Sequence, residues 1–122
     1  MIIELHDLLI RKFGGITCVG DFNLLEAALS RPFSGLADGT QFFPTLVDQA
    51  AALIEAIIEY HPFIDGNKRT AIVTANYFLG DNGLQWKYDD PEIVEFALAI
   101  ARQEMKFEQI RAWISKRVQV EQ

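Results

Sequence analysis

The sequence predicts an all-α fold with about six helices, and two observations carry that prediction. Apolar residues recur at the three- and four-residue spacing of amphipathic helices in nearly every segment of the chain. The breaks between these segments contain helix caps, prolines and glycine turns. Because the chain has 122 residues and half of them are hydrophobic, we expect one compact bundle that forms a single domain over residues 1–122.

Caps and helix breakers place the first three predicted helices. The first runs over about residues 4–13, and the second follows Asp21 as its N-cap and ends at Pro32. The predicted inward face of the second helix consists of Leu24, Leu25, Ala28 and Leu29. The third helix begins with Thr45 and Asp48 as a capping-box pair, and its wide apolar stripe makes it the predicted centre of the core.

Turn residues separate the remaining helices. The fourth follows the segment 61–67 and ends at the turn 80–83, after which a short extended connection is predicted. Asp90 as N-cap and Pro91 at the first helical position start the fifth helix. The sixth helix is predicted over about residues 107–118.

The segment between the second and third predicted helices, residues 31–43, does not show a helical pattern. It contains Asp38-Gly39 between short extended stretches, which is a signal for a tight hairpin. Two interpretations stay open. The segment is a solvated connecting loop, or it is a small β-flap whose edge pairs with an extended peptide.

Composition excludes several classes of protein. The net charge of −6, from 11 basic and 17 acidic residues, disfavours binding to the phosphate backbone of nucleic acid. No apolar run approaches the roughly 20 residues of a membrane span, and residues 1–12 resemble an amphipathic helix more than a signal peptide. The single cysteine, Cys18, suggests a reducing compartment. We therefore expect a cytoplasmic protein that contacts neither membrane nor nucleic acid.

Chemically versatile residues concentrate between His61 and Arg69. Gly66 precedes a predicted helix start, where the backbone amides and the helix dipole favour an anion. Lys68 and Arg69 add two positive charges there, so a di- or triphosphate is the expected ligand. His61 is a residue type that can take a proton from a hydroxyl near neutral pH.

Asp65 stands next to this predicted phosphate site, where its charge would repel the ligand. A magnesium ion removes that conflict, because Mg²⁺ is commonly held by one or two carboxylates together with substrate phosphates. Each residue also has a simpler interpretation: His61 as a helix cap, Asp65-Gly66-Asn67 as a turn, Lys68 and Arg69 as a solvated helix face. Two cations in a first helical turn count against the simpler interpretations, since the helix dipole disfavours them there.

The segment resembles the Fic/Doc family signature, His-x-Phe-x-(Asp/Glu)-(Gly/Ala)-Asn-(Gly/Lys)-Arg, at every specified position from His61 to Arg69. The helical order and the length also resemble the small Doc (death on curing) branch of that family. The resemblance implies His61 as the base that activates a target hydroxyl and Asp65 as the Mg²⁺ ligand. It places Gly66 and Asn67 in the anion hole for the phosphates, with Arg69 clamping a phosphate oxygen.

Lys68 and Ile72 point to the Doc branch, because adenylylating relatives mostly have Gly and Arg at these positions. In the Doc branch the γ-phosphate faces the hydroxyl, which implies a kinase that uses ATP and Mg²⁺, with Lys68 and Arg69 beside His61 in the catalytic set. The branch's known target implies elongation factor Tu as substrate and inhibition of translation as the effect. AMP transfer remains the alternative, and a non-catalytic peptide-binding module is a third hypothesis.

Regulation by a separate chain is also expected. Many Fic enzymes contain an inhibitory (Ser/Thr)-x-x-x-Glu helix, and no Ser or Thr of this sequence is followed by Glu four positions later. The resemblance therefore implies a toxin with a separate antitoxin chain. We expect that antitoxin to bind as a helix in a groove and to be disordered when free.

Overall fold

A computed structural model describes residues 20–62 and 66–120, and it confirms the all-α prediction. The helices of these residues are α1 (Phe22–Ser30), α2 (Leu46–Tyr60), α3 (Asn67–Asp81), α4 (Asp90–Ala101) and α5 (Phe107–Ser115), with a 3₁₀ turn at Arg31–Phe33. Two short strands, β1 (Leu84–Trp86) and β2 (Val118–Val120), pair antiparallel with Leu84 opposite Val120. The first predicted helix, over residues 4–13, lies outside the described residues. None of the described helices is long and apolar enough to cross a membrane.

Helix α2 forms the centre of the core, as predicted. Its start is fixed by a capping box, in which the Asp48 N–H donates to Thr45 Oγ1 at 3.0 Å and the Thr45 N–H donates to Asp48 Oδ2 at 3.3 Å. All residues from Gln49 to Ile58 are buried, and α2 packs against each of the four other described helices. Burial therefore extends around the whole helix and includes Glu55, on the face opposite the apolar stripe.

Three details of the sequence prediction are wrong. Leu24 is exposed, because α1 presents only Leu25, Ala28 and Leu29 to the core. The N-cap of α4 is Asp89 instead of Asp90, since the Asp89 carboxylate accepts the Glu92 N–H at 2.9 Å. The last helix ends at Ser115, and the residues after it form β2 because the edge of β1 supplies the partners for their backbone.

The flap between α1 and α2 closes as a tight turn with a single antiparallel bridge between Gly35 and Gln41. The Leu36 N–H donates to the Thr40 carbonyl at 2.7 Å, and the Phe42 N–H donates to the Ser34 carbonyl at 3.1 Å. The tight turn predicted at Asp38-Gly39 is therefore present, but the bridge does not extend into paired strands. Leu36 and Phe42 are exposed on its surface.

Gly35 is required by this turn, and its replacement is expected to open the flap. A Cβ at Gly35 would lie 2.2 Å from the Thr40 carbonyl oxygen, which is far inside van der Waals contact. We therefore expect Gly35→Ala to accelerate hydrogen exchange of the Leu36 and Phe42 amides at least tenfold, since both hydrogen bonds depend on the turn. Gly80→Ala is the matched control, because a Cβ at Gly80 meets nothing within 4 Å.

The control substitution lies in the last turn of α3 and is expected to leave flap exchange unchanged. It should also stabilise the protein by about 0.5–1 kcal/mol, because Ala is a better helix former than Gly. Unaltered amide exchange in Gly35→Ala would show that the turn does not depend on the close approach at residue 35.

Candidate active site

His61 ends α2 in a conformation that few residues other than glycine adopt. Its φ of 50° and ψ of 53° lie in the left-handed region, and its N–H still donates to the Ile57 carbonyl at 3.3 Å. Positive φ at a residue with a Cβ is uncommon and persists only where the surrounding structure imposes it. The helix therefore stops at His61, and the chain turns away with the exposed imidazole at the turn.

The start of α1 anchors the loop that follows His61. The carbonyl of the buried Pro62 accepts two backbone hydrogen bonds, from the Gly20 N–H at 2.8 Å and from the Asp21 N–H at 3.0 Å. Asp21 in turn caps α1 by accepting the Asn23 and Leu24 N–H groups at 2.9 and 3.1 Å. The position of His61 is therefore tied to a helix that precedes it by about forty residues in the chain.

Helix α3 begins at the predicted anion site. Gly66 is its N-cap, with φ 76° and ψ 23°, a left-handed conformation that glycine adopts without steric penalty. The Gly66 carbonyl accepts the Thr70 N–H at 2.8 Å and so starts the helical hydrogen bonding. Lys68 and Arg69 lie exposed in the first turn, where the helix dipole adds to their positive charge. This end of α3 is suited to phosphate oxygens.

His61 and the start of α3 meet through one side-chain contact. The Asn67 Nδ2 atom lies 3.1 Å from His61 Nδ1. Asn67 is the first residue of α3 and only 6% exposed, whereas His61 is exposed. The structure thus brings the predicted base beside the predicted anion hole, although six positions separate the two residues.

A cleft of about 520 Å³ opens from this point between α3 and α4. One end is formed by the first turn of α3, and the remainder is aliphatic. The lining residues are Gly66, Asn67, Lys68 and Arg69 at the cationic end and Ile72, Val73, Ile93, Val94, Ala97 and Leu98 along the walls. A ligand that combines an anionic group with an apolar, flat group matches this division.

The predicted metal ligand, Asp65, lies outside the described residues, and its role stays a prediction. Within residues 20–62 and 66–120, no group of three or more His, Cys, Asp or Glu side chains is gathered that could hold a metal ion. The prediction from sequence is a magnesium site in which one carboxylate, that of Asp65, acts together with phosphate oxygens bound at the first turn of α3.

The sequence reasoning missed an ion pair next to the site. Arg31 Nη2 lies 2.8 Å from Glu55 Oε1, and Arg31 Nη1 donates to the Tyr60 hydroxyl at 3.5 Å, one residue before His61. Burial raises the pKa of Glu55 above its usual range, and the charge of Arg31 offsets this effect only in part. The available signal was Glu55 itself, a carboxylate within the otherwise apolar stretch from Ala50 to Ile58.

The sequence of this chain, including the histidine at the end of α2 and the cationic start of α3, matches a known family. The sequence profile of the Fic/DOC family matches residues 1–79, which is more than half of the chain. The chain therefore belongs to the Fic/DOC family, and the resemblance predicted from the segment His61 to Arg69 is confirmed.

Two relatives carry Doc names. Toxin Doc of Mycolicibacterium smegmatis is 44% identical to this chain over 77 residues, which cover 63% of the chain and 58% of that protein. The matched region thus spans less than two thirds of Toxin Doc. Protein kinase doc of Escherichia phage P1 is 33% identical over 104 residues, which cover 85% of the chain and 80% of that protein. These relatives agree with the Doc branch indicated by Lys68 and Ile72.

Proposed function

We propose that this chain is a Doc-like toxin that transfers the γ-phosphate of ATP to a Ser or Thr hydroxyl of a target protein. The observation that carries the proposal is the contact between His61 and Asn67, which joins a candidate base to the helix end that carries Lys68 and Arg69. The names of the relatives, a toxin and a protein kinase, support the same activity.

The cleft geometry suits a nucleotide. The backbone amides at the start of α3, with Gly66 as its N-cap, would donate hydrogen bonds to the phosphate oxygens, and Lys68 and Arg69 would stabilise their charge. The aliphatic walls that α3 and α4 contribute to the cleft would cover the adenine ring of the nucleotide. Mg²⁺, held by Asp65 and the triphosphate oxygens, would supply further neutralisation of phosphate charge when it is bound.

His61 would act as the general base. As the target hydroxyl oxygen forms its bond to the γ-phosphorus, the bond from that phosphorus to the β–γ bridging oxygen breaks and ADP leaves. The hydroxyl proton moves to the imidazole of His61. Phosphoryl transfer depends mainly on positioning and charge stabilisation, so a base and a cationic phosphate site suffice for the protein's part.

The toxin activity follows from the same proposal. We propose elongation factor Tu as the target, with inhibition of translation in the cytoplasm as the result, and a separate antitoxin chain as the partner that neutralises the enzyme. In this proposal residues 1–122 act as a single Fic/Doc domain. The names Toxin Doc and Protein kinase doc support the toxin and kinase parts of this proposal. The choice of elongation factor Tu rests on the resemblance of the segment His61 to Arg69 to the Doc branch.

Transfer of label from ATP tests the proposed reaction. We expect γ-labelled ATP and Mg²⁺ to label purified elongation factor Tu, and intact-mass analysis to show an added mass of roughly 80 Da, the mass of a phosphoryl group. An addition of roughly 329 Da, with label from α-labelled ATP, would instead establish AMP transfer. Absence of both products on elongation factor Tu and in a whole lysate would contradict the enzymatic proposal.

Lys68→Ala provides a matched test of the phosphate site. We expect a rise of about tenfold or more in the KM for ATP, because one of two cations beside the phosphates is removed. Lys116→Ala is the control, since Lys116 is an exposed lysine just beyond α5 and does not line the cleft. An equal effect of both substitutions would indicate a general charge effect instead of a local phosphate contact.

A further inference from the structure

We propose that Arg31 is a positioning residue, which fixes the two ends of the flap against α2 and thereby sets where a target protein docks beside His61. The flap spans residues 31–43, so Arg31 is its first residue and Phe43 its last. The part of the inference that concerns target docking rests on the proposed function, whereas the part that concerns the flap does not.

The Arg31 guanidinium contacts three side chains from two separate parts of the chain. Nη2 lies 2.8 Å from Glu55 Oε1, and Nη1 donates to the Tyr60 hydroxyl at 3.5 Å. The guanidinium carbon also lies over the Phe43 ring, 5.8 Å from its centroid. Because Glu55 and Tyr60 belong to α2, one side chain joins both ends of the flap to the helix that ends at His61.

Aromatic rings also hold the ends of the flap, but they restrain it in a different way. Phe33 meets Phe78 edge-on with ring centroids 6.1 Å apart, and Phe43 is tilted on Phe107 with centroids 5.1 Å apart. Burial of apolar surface is non-directional, whereas a planar guanidinium must align with its acceptors. Arg31 therefore adds a directional restraint that the ring contacts do not supply.

A short series of hydrogen bonds extends from Arg31 into the flap. The Arg31 carbonyl accepts the Ser34 N–H at 3.2 Å and the Ser34 hydroxyl at 2.5 Å. The Ser34 carbonyl in turn accepts the Phe42 N–H at 3.1 Å. The side chains of Leu36 and Phe42 are each 55% exposed, so they form an apolar surface that another protein can contact. The orientation of this surface depends on Arg31.

The start of the flap lies close to the candidate base, since Arg31 contacts Tyr60 and Tyr60 directly precedes His61. A target protein that presents its hydroxyl to the exposed imidazole approaches this region, where the surface of the flap would contact it. Among the described residues, those that line the cleft between α3 and α4 do not include Arg31. The restraint should therefore affect binding of the target protein more than binding of ATP.

Hydrogen exchange of the full chain without nucleotide tests the role in the flap. Arg31→Met alone leaves a buried carboxylate unpaired, so the test uses Arg31→Met/Glu55→Gln, which removes both charges. We expect the Leu36 and Phe42 amides to exchange roughly fivefold faster in this double variant than in the wild type, because the flap opens more often. The urea midpoint should stay close to that of the wild type, which separates flap opening from global unfolding.

Arg117→Met/Glu92→Gln is the matched control, because it removes the same three-part contact elsewhere. Arg117 Nη2 lies 2.9 Å from Glu92 Oε1, and its guanidinium carbon lies 3.7 Å from the Trp113 ring centroid. We expect this pair of substitutions to leave flap exchange unchanged. Arg31→Lys is a second test variant, which keeps a positive charge beside Glu55. Flap exchange should rise in it as well, since an ammonium lacks the planar fork of a guanidinium.

Steady-state kinetics test the role in target docking. In Arg31→Met/Glu55→Gln we expect the KM for the target protein to rise about threefold or more, while the KM for ATP changes less than about twofold. A role confined to global stability would move neither constant in a variant whose stability has recovered.

Wild-type flap exchange in both Arg31 variants, each shown to be folded by thermal unfolding, would overturn the inference. Equal acceleration in the control would overturn it too, because the effect would then not be specific to Arg31. Faster flap exchange with an unchanged KM for the target would refute the part that concerns docking. If flap exchange rises as expected but wild-type protein modifies no target, the proposed function fails while the role of Arg31 in the flap stands.

Discussion

Replacing His61 with Asn is expected to lower the rate of phosphate transfer by roughly 10²- to 10⁴-fold, the usual contribution of a general base. Asn is chosen because it tolerates the left-handed conformation at this position, φ 50°, better than most residues. The expected loss is therefore chemical, with little change in the free energy of unfolding. Initial rates at saturating ATP and target, together with urea unfolding, measure the two effects separately.

His61→Ala separates the side chain's chemistry from the backbone. It should lose the same activity and be less stable than His61→Asn by about 1 kcal/mol, because Asn tolerates positive φ better than Ala does. His6→Gln is the control for removal of a histidine and should keep the wild-type rate. If His61→Asn retained more than a tenth of the wild-type rate, His61 would not be the base and the proposed mechanism would have to be abandoned.

Replacing Arg31 with Met is expected to destabilise the protein by about 2 kcal/mol at pH 7. The substitution leaves Glu55 as a buried carboxylate without its partner 2.8 Å away. Loss of one member of a fully buried pair costs roughly 3–5 kcal/mol, and the smaller value reflects solvent screening, since the side chains of Arg31 and Glu55 are 30% and 10% exposed. Urea unfolding measures the change, and Arg102→Met, at an exposed arginine, is the control.

The loss of stability caused by Arg31→Met should depend on pH in a defined direction. Burial raises the pKa of Glu55 in the folded protein above its unfolded value, so the folded state binds the proton more tightly. The stability that this residue contributes is then fully present below the unfolded pKa, roughly 4.3, and is lost as pH rises through the folded pKa. Without Arg31 that folded pKa rises further, so the destabilisation by Arg31→Met grows from acid to neutral pH.

Glu55→Gln provides the test of this explanation. The double variant Arg31→Met/Glu55→Gln removes both charges and should recover most of the stability lost at pH 7, because no buried carboxylate remains. Its stability should also change less with pH between about 4 and 7 than that of Arg31→Met. Equal destabilisation by Arg31→Met at pH 4 and pH 7 would show that lost packing of the Arg31 side chain, including its contact with Phe43, is responsible instead.

Much of the fold could be predicted from sequence because its signals are local. The capping box of α2 involves residues three positions apart, and the turn that ends α3 depends on glycines in a short segment. Apolar spacing identified α2 as the central helix for the same reason. The burial of Glu55 could not be predicted in this way, because Arg31 and the segments that cover the helix are distant in sequence.

The strand at Val118–Val120 shows most clearly what local sequence patterns cannot predict. Its apolar pattern continues that of α5, and the sequence alone predicted helix up to about residue 118. Pairing with Leu84–Trp86 satisfies its backbone through residues more than thirty positions earlier. Where two secondary structures suit the same few residues, the partner that tertiary packing supplies decides between them.

The sequence by itself determined the helical class, the helix order and the signature from His61 to Arg69, because caps, apolar spacing and residue chemistry act within a few positions of the chain. Only the tertiary structure decided that the Asn67 amide faces His61 Nδ1 and that α4 completes an aliphatic cleft beside Lys68 and Arg69. Both features depend on how separate helices pack against one another. They could not be predicted from the sequence because shape and burial determine which side chains meet across a core, and no local sequence pattern encodes these.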